Sequence, residues 1–238
     1  MRNYHLILTG LTLNIILLSL NRLTPFTLGT LAPFEFLRIL DFNAMLPIPL
    51  MAILLYWLLR REILNSHPFK KTISFLILDL ILISGIYFFG AGSGTHEVTN
   101  YLHSRFCSSE ISESSLCNII KFNDDEFSHY VYYAGFVLMN VALMFIEHKF
   151  PRKSPVSKKD LFLISLNSLF IGLGIFANLA FEEIGIDLWV FGSVMLLAIY
   201  LLFFDKRKMF QLPATFYFAV AYTLGVIGTI LYKSLAKI

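Results

Sequence analysis

Apolar residues run through this chain in long windows rather than in short alternations. The windows 4–21, 45–60, 72–91, 127–147, 160–181, 187–204 and 213–232 are strongly apolar, and each ends at charges or at Pro and Gly. About 20 such residues are what a helix needs to cross roughly 30 Å of hydrocarbon. In lipid, a helix satisfies its own backbone hydrogen bonds within one segment. The pattern predicts an all-α, polytopic transmembrane bundle of about seven spans, forming a single integral membrane domain over residues 1–238. The first window follows Met1-Arg2 in the manner of a signal peptide. No small-residue cleavage site comes after it and it ends in Asn21-Arg22, so it is read as an uncleaved first span. Between 22 and 44, Pro25, Gly29 and Pro33 interrupt the apolar run, and Glu35, Arg38 and Asp41 recur at three-residue spacing. An interfacial or re-entrant piece is expected there.

Composition agrees with lipid as the solvent. Only 15% of residues are charged, against about 25% in a soluble domain. The net charge of +3 comes without any basic patch interleaved with aromatics, which removes nucleic acid as a partner. Lys and Arg cluster in alternate connections, at Arg60-Arg61, Lys70-Lys71, Lys158-Lys159 and Lys206-Arg207-Lys208. Cationic connections stay in the cytoplasm, so the N-terminus is expected inside and the C-terminus outside. The same rule puts the Ser/Glu-rich stretch 104–124 outside, as a hydrophilic extracytoplasmic loop. Both cysteines, Cys107 and Cys117, fall in it. Because disulfides persist on the oxidising side of a membrane, a Cys107–Cys117 bridge is predicted. The expected location is the cell membrane, with multiple passes and the lipid bilayer as the one partner the sequence implies.

Candidate chemistry gathers at one depth. After the break Gly90-Ala-Gly-Ser-Gly94, which suits a helix kink, a helix cap or a flexible opening, comes Thr95-His-Glu-Val-Thr-Asn-Tyr-Leu-His103. On a helix, His96, Asn100 and His103 share a face, with Glu97 beside it. At the start of the fourth span, Asp125 and Glu126 precede His129 by four and three residues, and the fifth span ends with Asn178 and Glu182 four apart. The predicted topology brings these three segments to the outer ends of neighbouring spans. Ionisable groups at membrane depth are expensive and usually face one another or a watery cavity.

Imidazoles and carboxylates are ligands for a divalent metal such as zinc. The expected metal ligands are His96, His129, and Glu182 or Asp125, while Asp125, Glu126, Glu182 and His103 are the candidate proton-transfer groups. Asn100, Glu97, Asn178 and Arg38 are assigned to substrate or to support of the ligands. The implied activity is metal-assisted hydrolysis of a lipid or lipid-linked substrate at the outer face. Against this stands a plainer account, in which Asp124, Asp125 and Glu126 simply favour a helix N-terminus.

Two further function classes stay open. In an ion- or proton-coupled transporter, Asp79, Asn140 and Asn167 would extend the outer cluster into a transmembrane path. In a non-catalytic binding or scaffold protein, the same groups would only hydrogen-bond helices together. Known seven-helix patterns are missing. Lys233, the only lysine of the last span, lies at its end and offers no mid-membrane amine for retinal, and no His follows His148 to form the His-x-x-x-His pair of ceramidase-like hydrolases. Nor does an Arg follow Glu182-Glu183 in the intramembrane-protease pattern.

Overall fold

The structure, a computed structural model, describes residues 1–33, 35–65, 72–107, 114–181, 186–204 and 209–236. In chain order the helices are α1 (Arg2–Leu23), α2 (Ile39–Met45), α3 (Pro47–Leu64), α4 (Ile73–Phe106), α5 (Ser115–Lys121), α6 (Ser128–Lys149), α7 (Lys158–Phe181), α8 (Asp187–Phe204) and α9 (Pro213–Ala236). A π-helical turn, Phe122–Phe127, joins α5 to α6. Among the described residues there is no strand, only an isolated bridge between Thr30 and Arg38.

Every apolar window of the sequence lies on a long helix. Six helical segments are long and apolar enough to cross a membrane, and α8 is a shorter apolar helix that completes a seven-helix bundle. Starts are set by local chemistry. Pro47 and Pro213 stand at the first positions of α3 and α9, where the missing N–H costs nothing. The Thr72 hydroxyl accepts the Phe75 N–H at 3.3 Å to cap α4.

The Gly/Ser stretch after residue 89 does not end the third span. α4 continues through it for 34 residues to Phe106, a length of about 51 Å at 1.5 Å per residue. Of its glycines, Gly92 serves packing against α6. A Cβ on Gly92 would stand 2.5 Å from the Tyr132 nitrogen, and one on Gly135 would clash with the Phe89 backbone. Gly90 and Gly94 face open space. The stretch 104–124, expected as a loop, is helical over most of its described residues. α4 runs into it, α5 and the π turn follow, and Cys107 and Cys117 are disulfide-bonded across it. Residues 108–113 lie outside the described ones.

Residues 22–44 fold back onto the bundle end that carries the disulfide. Arg38 grips Asp41 with Nε and Nη2 at 2.7 and 2.8 Å, and its Nη2 also donates to Asn100 Oδ1 on α4 at 2.8 Å. Asn21 donates to the Leu40 carbonyl at 2.8 Å. At the opposite end, the fully buried Glu147 of α6 caps α9. Its carboxylate accepts the Ala214 and Thr215 N–H groups at 2.9 and 2.7 Å, the Thr215 hydroxyl at 2.9 Å and the Tyr4 hydroxyl at 3.1 Å. A buried carboxylate is tolerable only with such satisfaction.

The helix contact makes a testable distinction. Gly92→Ala is expected to lower stability by about 1–3 kcal/mol through overpacking, whereas Gly94→Ala leaves it unchanged or slightly higher. Thermal unfolding in detergent checks this, and equal midpoints for the two variants would contradict the packing role.

Candidate functional site

The close approach of α4 and α6 sets two imidazoles against each other. The His96 and His129 rings stand edge to face with centroids 4.6 Å apart. The π turn then supplies a carboxylate. In a π turn the chain advances one extra residue before it bonds back, so Asp124 rather than Asp125 turns inward, and it is 2% exposed. Asp124 Oδ2 meets His103 Nδ1 at 2.9 Å. Its Oδ1 lies 3.2 Å from His96 Nδ1, too poorly aligned for a hydrogen bond, and takes none among the described residues. His96 Nδ1 is also 3.4 Å from the Asp124 backbone oxygen. One carboxylate thus stands between two imidazoles on the same face of α4.

Next to this pair, Glu97 is 3% exposed and ion-paired through Oε1 to Arg22 of α1 at 2.5 Å. His96 Nε2 approaches the same oxygen at 4.0 Å. Glu97 Oε2 has no hydrogen-bond partner among the described residues. Arg22, His96, Glu97 and His129 rim a cavity of about 470 Å³ that runs into the bundle. Phe89, Tyr132, Phe136 and Phe191 wall its middle. Deeper, the Tyr56 hydroxyl donates to Asn140 Oδ1 at 2.7 Å, and Asn140 Nδ2 donates to the Tyr222 hydroxyl. From His129 to Asn140 is 11 residues of α6, about 16 Å of descent.

Not every candidate from the sequence belongs to this constellation. His96, His129, Glu97 and Asn178 line the cavity. His103 sits outside it, against Asp124. Asp125 and Glu126 are exposed because the π turn rotates them outward, and Glu126 accepts the Tyr130 hydroxyl at 3.3 Å. Arg38 and Asn100 pair with each other away from the cavity wall. Glu182 lies outside the described residues. Of the residues assigned to an ion path, Asn140 is on the cavity wall. Asp79 is held by Arg60 at 2.8 and 2.5 Å, and Asn167 accepts the Thr12 hydroxyl at 2.9 Å.

Sequence reasoning missed Asp124, Arg22 and the tyrosine floor. Arg22 was detectable as a charge ending the first span at the depth of Glu97. Asp124 was not, since α-helical spacing points to Asp125.

One group of ligand atoms is already close enough to hold an ion. His103, Asp124 and Asp125 each offer one atom, and the three lie within 4.8 Å of one another. No family model, curated protein or solved structure matches the chain.

The Arg22–Glu97 pair can be tested for its structural weight. Removing one partner of a buried pair leaves an uncompensated charge, and Arg22, at 36% side-chain exposure, tempers the cost through solvent screening. Arg22→Met is therefore expected to destabilise by about 2 kcal/mol, with Glu97→Gln in the same chain restoring most of the loss. A double variant as unstable as the single one would show that the pair does not matter.

Proposed function

We propose that this chain is a membrane-embedded, metal-dependent hydrolase that acts on a lipid or lipid-linked substrate at the extracytoplasmic face. The observation that carries the proposal is the buried Asp124 carboxylate. It contacts His103 through Oδ2 and keeps Oδ1 without a hydrogen bond among the described residues, and one ligand atom from each of His103, Asp124 and Asp125 lies within 4.8 Å of the others. A divalent ion at that spot, zinc being the candidate, would have one imidazole and two carboxylates as ligands. Catalytic zinc commonly keeps three protein ligands and an open position for water. Such an ion would supply acidity, lowering the pKa of a bound water toward neutrality.

In this scheme Asp125 keeps the ligand role first expected of it, while His103, first expected in proton transfer, and Asp124 replace His96, His129 and Glu182 as ligands. His96 and His129 become the proton-handling groups between ion and cavity. An imidazole accepts the proton of the attacking water, the hydroxide adds to an ester or amide carbonyl, and the bond to the leaving group breaks. The leaving oxygen or nitrogen then takes the proton from the imidazole, so the charge balances. The location at a membrane boundary supports a lipid substrate, since the cavity mouth is polar and its walls are aromatic.

Metal content and turnover test this together. Detergent-purified protein is expected to carry stoichiometric metal by elemental analysis, lost in Asp124→Ala and in His103→Ala but retained in His129→Ala. Hydrolysis of a panel of lipid esters and amides is expected to fall at least about 100-fold in His129→Ala and in the chelator-treated wild type. Metal-free wild-type protein that refuses added zinc, manganese and iron would end the proposal.

A further inference from the structure

Two unpartnered polar groups belong to residues that line the cavity below its rim. Asn14 Oδ1 on α1 and the Tyr217 hydroxyl on α9 have no hydrogen-bond partner among the described residues, and their side chains line the cavity. Asn14 is 8% exposed and Tyr217 1% exposed. Burying a hydroxyl or amide oxygen without a partner costs free energy, so such groups are expected to be met by something that enters. Their depths differ in a useful way. Asn14 lies eight residues before Arg22, about 12 Å below the rim. Tyr217 is about one turn into α9, whose first turn is capped by Glu147 at the end of the bundle away from the disulfide.

The cavity is therefore polar at its mouth, through Arg22, His96, Glu97 and His129, apolar and aromatic in the middle, and polar again at its floor. Its volume of about 470 Å³ is at the lower end of what ligand pockets offer. That suits one hydrocarbon chain and not two.

We infer that the cavity takes a single-chain amphiphile that is polar at both ends, with its head among Arg22, His96 and Glu97 and a hydrogen-bonding group at the far end of its chain against Tyr217. This assignment rests on the hydrolase reading only for what happens at the head, and it names the substrate class of that site. The aromatic walls exclude branched or bulky chains by shape, and the floor selects for a terminal hydroxyl, carbonyl or amide. A plain acyl chain fits the same space and leaves Tyr217 unsatisfied.

The test compares two probes, a palmitoyl lysophospholipid and its ω-hydroxypalmitoyl counterpart, in equilibrium binding to detergent-purified full-length protein carrying His129→Ala, so that hydrolysis does not consume the probe. The ω-hydroxy probe is expected to bind about fivefold tighter, the ratio that one net hydrogen bond supplies. Tyr217→Phe, which removes only an unpartnered hydroxyl, is expected to bring that ratio to near one while leaving the palmitoyl probe unchanged. Ala52→Phe, which fills the middle of the cavity, is expected to abolish binding of both. Equal binding of the two probes, a preference that survives Tyr217→Phe, undiminished binding to Ala52→Phe, or competition by a diacyl phospholipid as strong as by the single-chain probes would each overturn the assignment. Binding with this selectivity but no turnover by the wild type upholds it and rejects the hydrolase instead.

Discussion

The backbone-to-backbone contact between α4 and α6 governs the arrangement of everything at the polar end of the bundle. Gly92 meets Tyr132 and Gly135 meets Phe89 with no room for a methyl group between them. At that distance the two helices hold a fixed axial register, and the residues one to three turns beyond the contact have little choice of neighbour. His96 and His103 on α4 then face His129 and the turn that precedes it. Dispersion and close packing, rather than any polar attraction, bring the imidazoles together. The polar groups take advantage of a register they do not set.

Charges inside this bundle follow one rule, in that each deeply placed carboxylate has strong partners. Asp79 has Arg60, Asp41 has Arg38, and Glu147 has the start of α9 with Tyr4. Such pairing is what apolar surroundings require, and it explains why these carboxylates are better read as structural than as part of a path. Glu97 and Asp124 depart from the rule by half, since each uses one oxygen and holds the other without a hydrogen bond among the described residues. The departure falls in two neighbours, Glu97 at the cavity rim and Asp124 behind His96.

How much of this could be read from the sequence differs between fold and site. The seven apolar windows map onto six long helical segments and the shorter α8 because their length and composition leave the backbone few alternatives in lipid. The cysteine pair was equally legible from its position. The approach of His96 to His129 followed from placing both at one membrane depth, a coarse argument that needed only topology. Which carboxylate joins them did not follow, because α-helical spacing assigns the face to Asp125 and only a π turn presents Asp124. The glycine break misled for a related reason. Gly90 to Gly94 has the composition of an interruption, and only the partner helix shows that Gly92 is instead a contact point. The cavity floor of Tyr56, Asn140 and Tyr222 comes from three helices distant in sequence, which no local pattern could have joined.

The π turn also bears on how such a centre could arise or disappear. Residues Phe122–Phe127 hold one residue more than an unbroken helix from Ser115 to Lys149 would need. Deleting any one of them would let the α-helix run straight through, with α6 and its glycine contact left in place while the segment before it swings by about 100°. Asp124 would then leave the imidazoles, and the buried Cys117 and Ile120 of α5 would move with it. One residue of chain length in this turn therefore decides whether a carboxylate faces His96 and His103.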